Sequence, residues 1–115
     1  MDMQSSALDS GVTHIRLHGR LDAPGADRIG LHFSAAAGAG TGQVVVDMSG
    51  VVFIASMGIR LLISSARNAR AKHGLMVLYG ASDLVQDVLE QMAIDQIMPI
   101  VATEAQALER VQAAA

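Results

Sequence analysis

Val44, Val45 and Val46 form an unbroken β-branched run near the middle of the 115-residue chain. A strand with one wet face alternates apolar and polar residues. Three valines in succession leave no polar face, so this strand is expected to be covered on both sides, as happens when helices pack on a largely parallel sheet. From Ser56 the period becomes helical and runs to Lys72, His73 and Gly74. There the basic residues complement the helix dipole and Gly74 is expected to supply the left-handed stop.

The flanking segments extend this α/β reading. Residues 3–8 read as a short strand, Asp9, Ser10 and Gly11 as a turn, and residues 12–18 as a second strand, because Ile15 and Leu17 alternate with His14, Arg16 and His18. Asp22 followed by Pro24 marks a helix start, after which Ala26, Ile29, Phe33 and Ala36 or Ala37 recur at helical spacing until the glycine-rich loop of residues 38–42. Residues 75–79 read as a further buried strand. Ser82 or Asp83 opens a third helix with Leu84, Val85, Val88, Leu89 and Met92 on one stripe. Residues 97–101 read as a last short strand. Thr103 to Gln106 form a capping box before a final helix that turns Ala105, Leu108 and Val111 inward. The order β-β-α-β-α-β-α-β-α predicts an α/β layer: a mixed β-sheet of four to five strands with about four α-helices, joined by right-handed crossovers, in one domain over residues 1–115.

Composition narrows the function. Aromatic residues are 3% of the chain and Trp is absent, so the core must come from Val, Ile, Leu, Met and Ala, and stacking platforms for single-stranded nucleic acid are missing. A net charge of -3 leaves no basic footprint for direct nucleic-acid binding. With no cysteine, thiolate catalysis and sulfur-ligated zinc are excluded and secretion is not suggested. The first residues have no apolar run of signal-peptide length, and no window reaches a membrane span, so the expectation is a cytoplasmic chain without membrane insertion. His14 and His18 share a strand face, but Arg16 stands between them and no acid is in register, so no metal is expected. Ser56 has no Gly-x-Ser-x-Gly elbow and no histidine placed as its base. Gly38, Gly40 and Gly42 are followed by no P-loop lysine. Neither an enzyme nor a cofactor is expected.

Ser56 stands where the strand and its loop hand over to the helix. Serine is among the best N-cap residues, and spacing alone favours that structural role. The same hydroxyl can be offered to a kinase, and the two roles can coexist. At about 100° per residue, Ile59, Leu62, Ile63, Ala66 and Ala69 face the core, while Met57 and Leu61 lie off that face beside Ser64 and Asn68. Exposed Met and Leu one turn apart suit a partner-binding patch, although scattered surface apolar residues are normal. Arg60 and Arg67 on the other flank can pair with an acidic partner or simply be solvated. Asp22 reads as a helix cap before Pro24, and Asp47 as a turn former bonding the backbone near Ser49 and Gly50.

Three segments carry a family resemblance: Gly19-Arg20-Leu21-Asp22, Val46-Asp47-Met48-Ser49-Gly50-Val51, and Phe53-Ile54-Ala55-Ser56-Met57-Gly58-Ile59. Over almost its full length the chain resembles the STAS domain of bacterial anti-sigma factor antagonists. Members commonly read Asp-Ser-Ser-Gly-Leu-Gly at the third segment, with the first serine as phosphoacceptor. Here Ser56 keeps that hydroxyl, while Ala55 replaces the acid, Met57 the second serine and Arg60 the second glycine. The resemblance implies a STAS-like fold and a partner-switching regulator. The unmodified chain would bind an anti-sigma factor or switch kinase of the GHKL ATPase type, phosphorylation of Ser56 would end binding, and a PPM-type serine phosphatase would restore it. Asp22, Ala55, Met57, Gly58, Arg60 and Leu61 would form the partner surface, and Ser49 is a lesser phosphosite candidate. The alternative is a cytoplasmic STAS subunit of a membrane transporter, such as a lipid-trafficking ATP-binding cassette system, docked through the same helix face. A small α/β enzyme or nucleotide-binding module is a weaker third reading.

Overall fold

The valine run lies at the centre of the sheet and is fully buried. The computed structural model describes residues 1–113. Its elements are β1 (Asp2–Ala7), β2 (Thr13–Leu21), α1 (Ala23–Gly38), β3 (Gln43–Ile54), α2 (Ser56–Ala71), β4 (Leu75–Tyr79), α3 (Asp83–Gln91), a 3₁₀ turn (Ile94–Gln96), β5 (Ile100–Val101) and α4 (Glu104–Ala113). The five strands lie in the order β1-β2-β3-β4-β5, with β1 antiparallel to β2 and every other pair parallel. This is the predicted α/β mixed sheet with four helices.

Val44 and Val46 join one core with Ile15, Leu17, Ile29, Phe33, Ile59, Leu62 and Leu89, beneath α1, α2 and α3. Val45 points the other way and packs with Val12, Val77, Ala107 and Val111 under α4. Helices on both faces thus account for the missing polar alternation.

The largest departure from the sequence reading is the length of β3. Asp47 is expected to turn the chain, and its Oδ1 does accept from the Ser49 amide (2.9 Å) and the Ser49 hydroxyl (2.6 Å). The strand nevertheless continues to Ile54. Arg16 pairs with Asp47 but His18 with Gly50, and Gly19 with Val51 but Arg20 with Phe53, so β3 carries one extra residue at each of two bulges. β2 also runs beyond its predicted end, to Leu21. At the other edge, residues 97–101 hold only the two-residue β5, because the chain first makes the 3₁₀ turn.

Helix faces need smaller corrections. Leu84 and Met92 are exposed, leaving Val85 and Leu89 to anchor α3. Ala105 is exposed, and Ala107 replaces it in the core of α4. Ile63 is only half-buried, and Leu61, expected outside, is half-buried against the first core. The predicted capping box does form: Thr103 Oγ1 accepts from the Gln106 amide (3.2 Å), and Gln106 Oε1 accepts from the amides of Ala102 (3.0 Å) and Thr103 (3.2 Å).

The left-handed stop of α2 is His73 (φ 64°), not Gly74. The His73 amide donates to the Arg70 carbonyl and the Gly74 amide to the Ala69 carbonyl, both at 2.9 Å, closing the helix in a Schellman arrangement. Glycine is needed at 74 for a different reason: a β-carbon there would run into the Gly42 carbonyl. A left-handed conformation costs a non-glycine residue about 1–2 kcal/mol, part of which glycine returns through its freer unfolded chain. His73→Gly is therefore expected to stabilise the fold by about 0.5–1 kcal/mol, seen as a melting temperature a few degrees higher.

Candidate functional site

The site is built where β2 and β3 end side by side, with Leu21 paired to Ile54. The Ala55 amide donates to the Leu21 carbonyl (3.0 Å), fixing the chain as it leaves the sheet. Gly58 then lies on Leu21 so closely that a β-carbon would meet the Leu21 carbonyl and come within 2.6 Å of its Cγ. The absence of a side chain at 58 lets the first turn of α2 sit directly on the strand ends.

That turn corrects the expectation for Ser56. The N-cap of α2 is Ala55, with extended backbone (φ -136°, ψ 179°), and no side chain caps the helix. Ser56 occupies the first helical position and is exposed. The first helical bond is from the Ile59 amide to the Ala55 carbonyl (3.0 Å), so the amides of residues 56–58 form a helix mouth without a capping oxygen. The methyl side chain of Ala55 is the cause: the cap position exists, but its residue has nothing to cap with.

On the neighbouring loop Asp22 caps α1. Its Oδ1 accepts from the Gly25 amide (2.9 Å), and its Oδ2 lies 3.2 Å from Arg20 Nε. The Gly25 amide bond, with Arg20 as a smaller influence, holds the Asp22 carboxyl below the usual aspartate range. The Arg20 guanidinium stacks on Phe53, 4.3 Å from the ring centroid, and links β2 to the far end of β3.

Beside Ser56 an open groove of about 470 Å³ runs between α1 and α2. Met57, Arg60 and Leu61 line one wall and Ala26, Asp27, Gly30 and Leu31 the other. Leu31 is 87% exposed and Met57 46%, and Val52 and Phe53 add exposed apolar surface at the end of β3. The structure thus brings Asp22, Ala55, Met57, Arg60 and Leu61 to one end of the molecule, with Gly58 beneath the surface. Leu31 and Asp27 belong to the same groove, beyond the partner surface expected from the sequence. Helical spacing signals Leu31, which falls opposite the stripe of Ile29 and Phe33.

A second polar cluster lies on the α4 side of the sheet. His14 Nε2 is 2.7 Å from Tyr79 Oη and 3.3 Å from Glu104 Oε1, so a carboxylate does reach His14, from a helix rather than a strand. Burial, and then the charges of Asp47 and Glu104, push the Tyr79 hydroxyl up to about 12. Arg16 Nε lies 3.3 Å from Asp47 Oδ2. Among the described residues no group of three or more His, Asp or Glu side chains is placed to hold a metal ion. The cluster fastens α4 to the sheet.

Three comparisons bear on this architecture. Residues 5–102 match the family model described as Mlab, STAS domain. The structure superposes on an anti-sigma-factor antagonist (STAS) domain protein from Planctomyces limnophilus with a TM-score of 0.86 and 27% identity, covering 97% of this chain and 99% of that one. It also matches the Bacillus cell fate determinant SpoIIAA in its phosphorylated form, with a TM-score of 0.70 and 27% identity, covering 96% of this chain and 99% of that one. The murine Slc26a9 anion transporter in its inward-facing state shares the fold over 90% of this chain and 18% of its own, with a TM-score of 0.76 and 19% identity. Among curated proteins none matches significantly.

Proposed function

Since the chain belongs to the STAS domain family, we propose that it is an anti-sigma factor antagonist that switches partners through Ser56. The observation that carries this reading is the exposed Ser56 hydroxyl on the first turn of a helix with no side-chain cap. A phosphate adds about -1.5 to -2 charges, and at a helix N-terminus it meets free amides and the positive end of the dipole. The fold should therefore tolerate the modified state, and the cost of phosphorylation should fall on the interface.

The partner surface in this reading comprises Asp22, Ala55, Met57, Arg60 and Leu61, with Gly58 setting the height of the helix. The groove supplies apolar contact, and Asp27 and Arg60 on its opposite walls supply orientation. The partner is an anti-sigma factor or switch kinase of the GHKL ATPase type, the phosphate is removed by a PPM-type serine phosphatase, and the chain itself catalyses no reaction. The setting is cytoplasmic; among the described residues no helix is long and apolar enough to cross a membrane.

Incubation with a GHKL-type kinase and ATP is expected to place phosphate on Ser56, mapped by mass spectrometry. Ser56→Asp should weaken kinase binding at least about tenfold, because one mispaired hydrogen bond to a charged group costs about 1.5–3 kcal/mol. Ser56→Ala should bind like the wild type. A second reading, a STAS subunit of a membrane transporter, draws on the presence of this fold in the murine Slc26a9 anion transporter. It predicts no phosphate on Ser56 and equal binding by Ser56→Asp.

A further inference from the structure

The two edges of the sheet are unequal. β5 offers two residues, preceded by Pro99, and so leaves little backbone for another strand. β1 offers six residues, pairs among the described residues only with β2, and contains no Pro, Lys or bulge of the kind that blunts sheet edges, its one charge being Asp2 at its first residue, paired with Arg28. Asp2, Gln4, Ser5, Ser6 and Ala7 are all exposed, and only Met3 is half-buried, against the first core.

The residues of β1 are also complementary to themselves. A two-fold axis perpendicular to the sheet joins two β1 strands antiparallel and keeps each side chain on its own face, so paired residues must have the same parity. Centred on Gln4, that operation sets Gln4 against its own copy, Met3 against Ser5 and Asp2 against Ser6. No like charges oppose each other, and a primary amide can both donate to and accept from its twin. Gln4 pairs with Arg16 across β2, on the sheet face whose helix, α4, packs over β3 and β4, so its long side chain has room at the axis.

We propose that β1 is a self-pairing edge and that the partner it fits is a second copy of this chain, joined through residues 2–6 into one continuous sheet centred on Gln4. So short a pairing buries less than the roughly 1,200–2,000 Å² of a stable interface, so association is weak and concentration-dependent.

Sedimentation of the full chain from about 10 μM to about 1 mM, the range suited to so small an interface, tests this. The wild type is expected to move from monomer toward dimer, with hydrogen exchange slowing at β1 amides as concentration rises. Gln4→Lys places two ammonium groups together at the axis and should weaken association at least tenfold at low salt, with partial recovery at high salt. Circular dichroism of this exposed substitution verifies that the fold is kept. A chain that stays monomeric throughout overturns the proposal. So does a dimer that Gln4→Lys leaves intact, or one that is lost with Leu31→Lys instead, which would place the contact in the α1–α2 groove.

Discussion

Gly58→Ala is expected to destabilise the protein by about 3 kcal/mol, the upper end of the range for overpacking, and to lower its melting temperature by roughly 10–15 °C. The added β-carbon meets the Leu21 carbonyl and Leu21 Cγ, and the first of these is backbone at the end of a sheet strand, with no rotamer to move to. Relief requires α2 to lift away from Leu21, which pulls on the Ala55–Leu21 hydrogen bond and displaces Ser56 from its place over the strand ends. Under the proposed switch, phosphorylation of Ser56 should therefore slow even at temperatures where the variant remains folded. Gly30→Ala is the control: a β-carbon there meets nothing within 4 Å, and alanine is the better helix former by up to about 1 kcal/mol. Thermal melts of the two variants should move in opposite directions. Equal small shifts would mean that the junction is softer than its geometry indicates.

Asp47→Ala is expected to cost about 2–3 kcal/mol, most of it at the first bulge of β3. Asp47 is 8% exposed, and its carboxylate accepts both the amide and the hydroxyl of Ser49. Without it the two donors lose a charged acceptor. The ion pair to Arg16 adds little by itself, because that side chain is half exposed and water screens it. Burial alone would raise the Asp47 pKa, but the Ser49 bonds and the Arg16 charge outweigh it, and the carboxyl ends below its ordinary value of 3.8. A carboxyl with a depressed folded pKa contributes its full stability above the ordinary value and loses it as pH falls through the folded value. Urea unfolding of the wild type should thus show stability falling on the acid side of about pH 4, and Asp47→Ala should flatten that limb. A variant that loses stability equally at every pH would place the effect in packing rather than in the carboxylate.

The legible parts of the fold are those that depend on neighbours in the chain. Val44, Val45 and Val46 signal a strand covered on both faces, Asp22 and Pro24 a helix start, and Thr103 and Gln106 a capping box, because each rests on local geometry or period. The less legible parts depend on partners distant in sequence. β3 continues past Asp47 because β2 lies alongside with His18 and Gly19 to pair, and no local pattern announces two bulges. His73 takes the left-handed turn because Gly74 is needed against Gly42, in a loop more than thirty residues earlier. Leu61 is half-buried because α1 lies beside α2 and covers what the helical wheel leaves open.

At the site, the hydroxyl and its place at a strand-to-helix junction are readable from Phe53 to Ile59, since the change of period marks the junction. Which residue caps the helix is not, because a shift of a single position separates a cap from a first turn, and only the backbone torsions of Ala55 decide it. Residue order alone therefore determined the α/β class, the element succession and the serine at the strand-to-helix junction beside Met57, all of which follow from hydrophobic period and turn chemistry. Tertiary structure alone decided that Ala55 leaves the helix mouth uncapped, that Gly58 seats it on Leu21, and that Leu31 completes the groove. Those three features arise where segments far apart in sequence meet, and close packing between them, rather than local preference, sets the geometry.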